Sequence, residues 1–246
     1  MKSCFYILFL FLCARLSAQV STDPALPNDN KPVAIVFDAT QGTAGLKDYT
    51  GDVYAHTGVI TDKSNAPSDW KYVIADWNTN IPKARMTRTG PNLYTLEIMP
   101  DIRSFYGVPA GETIKQMAFV FRSADRTREG KATGGKDIFA NVYSAGLNVS
   151  ISSPKKISIV EKNQSFTFSV SVSFPSGIRL FLNNTEIETG SGSSMSKTMV
   201  ISDAGNYWLK AAATYGDQVK SDSVFVCVRE QVIQEIRPGG ILPGIN

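Results

Sequence analysis

The chain has 246 residues, of which 43% are hydrophobic, 10% aromatic and 19% charged, and its formal net charge is +3. This length predicts one or two domains with a hydrophobic core, and this composition excludes a disordered tail, a collagen-like fibre and a disulfide scaffold. The charge balance is too weak to indicate nucleic-acid binding. One His and three Cys offer little material for a metal site, so we expect no metal and no cofactor.

Residues 1–18 are typical of a secretory signal peptide. Lys2 gives a positive start, an apolar run of ten residues extends from Cys4 to Cys13, and small residues precede Gln19. The run is too short to cross a bilayer, and no later apolar stretch is long enough for a membrane span. We therefore expect cleavage after Ala18 and export to a periplasmic, cell-surface or extracellular location.

Cleavage would leave Cys227 as the single cysteine of the mature chain. One cysteine cannot form an internal disulfide. Because Cys227 lies within the apolar run 224–228, the sequence predicts a buried structural thiol at this position.

The first part of the mature chain predicts a linker followed by a β-sandwich. Residues 19–31 hold Pro24 and Pro27 among polar neighbours, which favours a linker. Residues 32–146 then carry short apolar runs separated by Gly, Pro and Asn, the pattern of short packed strands, with one helical turn possible at 101–106. The predicted runs are 33–37, 52–60, 70–77, 84–87, 92–98, 113–122 and 137–143.

Residues 147–230 predict a second β-sandwich of the immunoglobulin-like kind, because seven short strands are typical of that fold. The whole mature chain is thus predicted to be all-β, with two β-sandwich domains in tandem. The runs of the second block are 149–152, 157–160, 165–172, 178–182, 196–201, 206–212 and 221–228.

The segment 203–207, Asp-Ala-Gly-Asn-Tyr, matches the signature that opens the sixth strand of immunoglobulin domains. There the Tyr hydroxyl bonds back to nearby backbone and forms the tyrosine corner. An ordinary turn that ends in Tyr207 is the alternative. Leu180 and Leu209 stand where the core Trp and the second disulfide Cys would be, which predicts an aliphatic core. The tail 231–246, with two Pro and three Gly, is interpreted as a linker at which a longer protein is truncated.

The sequence offers no catalytic machinery, so no catalytic residue is predicted. A Ser–His–Asp arrangement would have to use His56, and no Gly-x-Ser-x-Gly elbow, phosphate loop or zinc motif is present. Asp62, Asp69 and Asp76 lie in or beside turn-rich sequence and are interpreted as solvated loop acids.

The candidate binding residues are Tyr54, His56, Trp70 and Trp77. In a strand over 52–60, Tyr54 and His56 share one outer face about 6.6 Å apart. Sugars stack their C–H faces on aromatic rings and need a few polar partners, which these side chains supply. The alternative is that the aromatic rings belong to the core. On a regular strand Trp70 and Trp77 face opposite ways, so at least one is expected to be structural. Trp70 is proposed as the stacking ring, and which of the two tryptophans is exposed stays open.

Residues 33–143 resemble the starch-binding modules attached to bacterial alpha-amylases. The resemblance rests on Tyr-Ala-His-Thr-Gly at 54–58, a Trp in the following loop, Met86, and the segments 118–122 and 134–139. It implies that Tyr54, His56 and Trp70 contact an alpha-glucan, with Trp77 a further candidate. The order of segments is also similar to the N-terminal, non-catalytic region of secreted alpha-amylases of Bacteroides-type bacteria. That similarity implies a covalent continuation into a catalytic domain, whose barrel of about 250 residues is absent here.

Three hypotheses follow from the sequence. The first is a secreted, non-catalytic protein that binds an alpha-glucan polysaccharide such as starch or glycogen. The second is a structural spacer or a cell-surface adhesion module without sugar binding. The third is a complete hydrolase, which the lack of recognisable catalytic residues disfavours.

Overall fold

A computed structural model describes residues 19–230, so the predicted signal peptide 1–18 and the predicted tail 231–246 lie outside the described residues. The described residues divide into two compact units, 19–143 and 144–230. This division falls close to the boundary predicted between residues 146 and 147. Within residues 19–230, no helix is long and apolar enough to cross a membrane.

Within residues 19–143, the first unit has eight strands and two short helical segments. The strands are β1 (Val20–Asp23), β2 (Val33–Asp38), β3 (Val53–Thr61), β4 (Thr87–Gly90), β5 (Leu93–Ile98), β6 (Ile114–Ser123), β7 (Glu129–Gly130) and β8 (Ile138–Asn141). The helical segments are a 3-10 turn (Pro82–Ala84) and α1 (Ile102–Tyr106).

The eight strands form two antiparallel sheets that enclose one hydrophobic core. One sheet has the order β1-β2-β5-β4, and the other pairs β3 with β6, whose far edge carries β7 and β8. Every second residue of β2 points into the core, and Met117, Phe119 and Phe121 of β6 do the same, as period-two alternation requires. Phe37 and Phe121 stack there across the two sheets with ring centroids 4.0 Å apart. The prediction of an all-β sandwich is confirmed.

Helix α1 closes one side of this core. Its first turn is fixed because the Asp101 side chain accepts a hydrogen bond from Ser104 N at 2.7 Å. It ends at Gly107, whose φ of 74° is costly for other residues. The buried Tyr106 hydroxyl lies 2.7 Å from Thr57 Oγ1, which joins the helix to β3.

The segment predicted as a linker, 19–31, is instead part of the first sandwich. Strand β1 (Val20–Asp23) pairs antiparallel with β2, and Leu26 is buried. The prolines that suggested a linker lie just after β1, where they interrupt no sheet hydrogen bond of that strand. The prediction was wrong because a four-residue edge strand is too short for a clear alternating pattern.

Residues 70–77 were predicted as a strand and form an irregular loop, in which only Lys71 makes a β-bridge, to Val59. Tyr72 has a φ of 52°, which ends any extended run there. The predicted run 84–87 is also divided, since Pro82 starts a 3-10 turn and β4 begins only at Thr87. Pro fixes its own φ near the helical value, which favours the turn.

Within residues 144–230, the second unit has six strands. They are β9 (Val149–Ser153), β10 (Ile157–Glu161), β11 (Ser165–Leu182), β12 (Thr185–Val200), β13 (Gly205–Tyr215) and β14 (Gln218–Arg229). The sheet order is β10-β14-β13-β11-β12, with β9 on β11. Strand β10 runs parallel to β14, whereas the other pairs are antiparallel.

Strand β11 is long enough to pair with two different strands on the side away from β12. The first half of β11 pairs with β9, and its second half pairs with β13. The register against β12 shifts between Ser171 and Ser176, around Pro175, which cannot donate a ladder hydrogen bond. The two predicted runs 165–172 and 178–182 are therefore one continuous, bent strand.

The core of the second unit is mostly aliphatic, as predicted, and it also contains the fully buried ring of Phe168. Leu180 and Leu209 are fully buried in it together with alternate residues of β11, β13 and β14. The Tyr207 hydroxyl donates to the Asp203 carbonyl at 3.0 Å, so the tyrosine corner is present. Cys227 departs from the prediction, because it is a free, partly exposed thiol. Alternation along β14 buries Val226 and Val228 and turns Cys227 to the opposite face.

Candidate functional site

The outer face of β3 carries the first two predicted site residues. Val53, Ala55 and Thr57 are buried, whereas Tyr54 and His56 are half-buried on the other face. This arrangement follows from the period of two in an extended strand. On the neighbouring strand β6, Arg122 lies directly opposite Tyr54.

The irregular loop that follows β3 folds back against the same strand. Lys71 and Val59 exchange two backbone hydrogen bonds, of 2.8 and 2.9 Å, and Ile74 N donates to Thr57 O at 3.2 Å. Gly58 permits this approach, because a Cβ at that position would lie 2.9 Å from the Lys71 carbonyl oxygen. The loop therefore runs beside β3 and brings Trp70 and Trp77 to the outer face.

Glu112 anchors the middle of this loop. Its carboxylate accepts hydrogen bonds from Thr61 Oγ1 at 2.6 Å and from the Tyr72 hydroxyl at 2.8 Å. Lys63 Nζ lies 3.1 Å from the same buried carboxylate. The hydrogen bonds from Thr61 and Tyr72 lower the pKa of Glu112 to about 2, despite burial, so the group is ionised at neutral pH. The bond to Glu112 thereby fixes Tyr72, which lies between Trp70 and Trp77 in the sequence.

Arg122 anchors the end of the loop. It is buried, and its guanidinium donates to Asn80 Oδ1 at 2.7 Å and to the Thr79 carbonyl at 2.9 Å. The guanidinium carbon also lies 5.6 Å from the ring centroid of Tyr54 and 5.6 Å from that of Trp77. These distances are within the range of cation–π attraction, so one side chain positions both rings.

Three of the four predicted residues form one ring cluster, which we call the aromatic platform: His56, Trp70 and Trp77. The His56 ring stacks on Trp70 with centroids 5.7 Å apart and planes inclined by 29°. It meets Trp77 edge-on, with centroids 5.1 Å apart and planes inclined by 80°. Tyr54 joins the platform through Arg122.

The expectation that at least one of the two tryptophans lies in the core is not met. Trp70 and Trp77 are both half-buried, and neither belongs to the hydrophobic core of the first unit. The expectation assumed a regular strand over residues 70–77, in which residues seven apart point to opposite faces. Because the segment is a loop, that alternation does not apply.

The charge state of His56 follows from its surroundings. Burial lowers the pKa of His56, and the positive charge of Arg122 lowers it further. Asp137, Asp76 and a hydrogen bond to the Ala75 backbone act in the opposite direction and are outweighed. The imidazole is therefore neutral at neutral pH, with one nitrogen that donates and one that accepts.

The orientation of Trp70 decides which of its parts faces outward. Its Nε1 atom is buried and has no hydrogen-bond partner among the described residues. The indole N–H therefore points inward, and the exposed part of the ring is carbon surface. Such a surface suits stacking better than hydrogen bonding.

Sequence reasoning missed the residues that hold the platform together, namely Tyr72, Glu112 and Arg122. Arg122 could have been found from alternation, since it is the polar residue that ends the predicted apolar run 113–122. Glu112 and Tyr72 are 40 residues apart, and only the folded chain brings them together. Among the described residues, no group of His, Cys, Asp or Glu could hold a metal ion.

No family model matches the chain, and no curated protein matches it. Solved structures that resemble it include immunoglobulin-like and fibronectin III-like domains, and some of the similar structures are glycoside hydrolases.

Fibronectin(III)-like modules of Clostridium thermocellum CbhA are 21% identical, cover 35% of this chain and 99% of their own, with a TM-score of 0.32. Tandem immunoglobulin domains of titin are 9% identical to this chain. The match covers 84% of this chain and 92% of the titin chain, with a TM-score of 0.31. An endo-beta-1,4-mannanase from Thermotoga petrophila is 11% identical over 35% of this chain and 20% of its own, with a TM-score of 0.29. That this chain is all-β follows from its own strands.

Proposed function

We propose that the first unit is an alpha-glucan-binding module of an exported protein, similar to the non-catalytic front end of an alpha-amylase. The observation that carries the proposal is the aromatic platform, in which His56 contacts both Trp70 and Trp77 on the outer face of β3. Half-buried rings offer carbon surface to the C–H face of a sugar. The neutral imidazole and the nearby carboxylates of Asp76 and Asp137 supply the polar partners that sugar hydroxyls need.

The platform is held in place before any ligand arrives. Glu112 fixes the loop at Tyr72, and Arg122 fixes it at Thr79 and Asn80. A site that is already ordered loses less conformational entropy on binding. This supports a binding role over a core role for Trp70 and Trp77.

Electrophoretic retardation of the full chain in gels that contain starch or glycogen tests the proposal. We expect the unmodified protein to be retarded and Trp70→Ala or Trp77→Ala to lose most of the retardation. Removing an aromatic anchor costs about 2 kcal/mol or more, roughly thirtyfold in affinity. Trp208→Ala is the matched control, because Trp208 is a 55% exposed tryptophan of the second unit.

Thermal unfolding of each variant separates loss of binding from loss of fold. A retained melting transition with lost retardation supports the platform as the binding surface. Equal mobility of the unmodified protein with and without polysaccharide contradicts glucan binding and favours the second hypothesis, a spacer or adhesion module. Unchanged retardation in both tryptophan variants places the binding surface elsewhere.

A further inference from the structure

We infer that the glucan site continues past Tyr54 into a polar subsite at the Asp52–Arg85 ion pair, so that the protein prefers chains long enough to reach both. The inference rests on the proposed function, because it extends the same site. It concerns which glucans are bound, and it assigns a role to residues outside the aromatic platform.

The subsite lies beside Tyr54 because of strand pairing. Arg85 forms an antiparallel bridge with Tyr54, and residues opposite each other in such a bridge carry their side chains on the same side. The Arg85 guanidinium lies 2.7 Å from Asp52 Oδ1. Along the strand, Asp52 is four residues from His56, a distance of about 13 Å. The row from Asp52 through Tyr54 to His56 is therefore longer than a disaccharide.

A cavity of about 550 Å³ opens at this pair. Its volume falls within the usual range of ligand sites, roughly 300–1,000 Å³. The floor is formed by the buried residues Val53, Met86 and Tyr94, and exposed polar side chains form the walls. The polar wall residues are Thr50, Asp52, Arg85, Thr87 and Arg88.

The chemistry of the walls matches sugar hydroxyls. A carboxylate accepts hydrogen bonds, a guanidinium donates them, and both kinds are stronger than bonds between neutral groups. The side chains of Arg85 and Asp52 are 57% and 48% exposed, and an ion pair this exposed adds little to folding stability. The pair can therefore exchange part of its mutual contact for contacts with a ligand.

Calorimetric titration of the full chain with maltose, maltotriose, maltopentaose and maltoheptaose tests the inference. We expect affinity to rise with chain length beyond the disaccharide. Arg85→Ala should weaken maltoheptaose binding by about tenfold, the usual effect of losing a hydrogen bond from a charged group, and should leave maltose binding unchanged. Thr87→Val, which keeps the shape of the cavity wall, should reduce the same length dependence to a smaller extent.

Arg229→Ala is the matched control. Arg229 pairs with Glu161 at 3.2 Å in the second unit, with side-chain exposures of 55% and 37%. This variant should bind all four sugars as the unmodified protein does. Affinities independent of chain length, or an Arg85→Ala effect equal for maltose and maltoheptaose, would overturn the subsite while leaving the platform in place. Failure to bind any of the four sugars would overturn the proposed function together with the subsite.

Discussion

Glu112 is the residue on which the loop beside β3 depends most. It is buried, and it accepts hydrogen bonds from Thr61 in β3 and from Tyr72 in the loop. The two donors bond to different oxygens of the carboxylate, and because these bonds favour its charged form, the pKa of Glu112 is lowered from 4.5 to about 2. The Glu112 side chain thus joins β3 to the loop, and it does so in its charged form.

This lowered pKa predicts how acid affects the first unit. The unfolded chain takes up the proton of Glu112 near pH 4.5, whereas the folded chain does so only near pH 2. The stabilising contribution is therefore complete above pH 4.5 and is lost as the pH falls from 4.5 to 2. Glu112→Gln should lower the melting temperature at pH 7 and flatten its decline between these two pH values.

Melting curves of the full chain from pH 7 to pH 2 measure this effect. Glu129→Gln is the control, because Glu129 also forms an ion pair with a lysine, Lys131, but its side chain is 37% exposed whereas that of Glu112 is 3% exposed. A Glu112→Gln profile parallel to that of the unmodified protein would contradict the assigned role.

At the scale of elements, the path of the loop depends on one residue of β3 that has no side chain. A Cβ at Gly58 would lie 2.9 Å from the Lys71 carbonyl oxygen and 3.0 Å from Val73 Cγ2. The first of these atoms belongs to the backbone, so the loop itself would have to move. The position of Trp70, next to Lys71, is therefore sensitive to the size of residue 58.

Gly58→Ala should displace the loop and weaken retardation in starch gels. Overpacking of this kind costs about 1–3 kcal/mol of stability. Gly90→Ala is the control, since a Cβ there would lie 3.5 Å from the Leu93 side chain, an ordinary contact. Retardation of Gly58→Ala equal to that of the unmodified protein would show that the loop tolerates the shift.

The elements also show what sequence patterns can and cannot predict. The runs at 33–37, 92–98 and 113–122 became strands within about one residue, because alternation or continuous apolar character marks a packed strand. Trp70 and Trp77 were found as candidates by residue type, but their relative direction was predicted wrongly. Direction depends on the local backbone, and the positive φ of Tyr72 has no signal in the sequence. Alternation marks Arg122 as a polar residue at the end of an apolar run, but its contacts with the loop, like those of Glu112, join residues distant in sequence, and no local pattern contains those contacts.

At the scale of the whole molecule, the proposed division of roles assigns binding to the first unit alone. A substitution that destabilises the second unit should therefore leave glucan binding unchanged. Tyr207→Phe removes the hydrogen bond to the Asp203 carbonyl and should cost the second unit roughly 0.5–1.5 kcal/mol.

Trp208 offers a way to measure this in the full chain. The sequence has three tryptophans, so replacing Trp70 and Trp77 by Phe leaves Trp208 as the reporter of the second unit. Its fluorescence during urea unfolding should shift to lower urea when Tyr207→Phe is added. Retardation in starch is measured in the Tyr207→Phe variant that keeps all three tryptophans, and it should equal that of the unmodified protein. A loss of retardation would contradict the division of roles.

Strand β3 has a consequence for how this protein can change in evolution. Its odd-numbered residues from Val53 to Thr57 face the core, and the residues between them face the platform. Inserting or deleting one residue inside the strand would exchange the two sets, burying Tyr54 and His56 and exposing their apolar neighbours. Substitutions on the outer face can accumulate one at a time, and the loop after β3 can vary in length. The strand itself tolerates insertions or deletions only of an even number of residues. Descendants of this fold should therefore keep the same alternate residues of β3 facing the core, even where the bound ligand has changed.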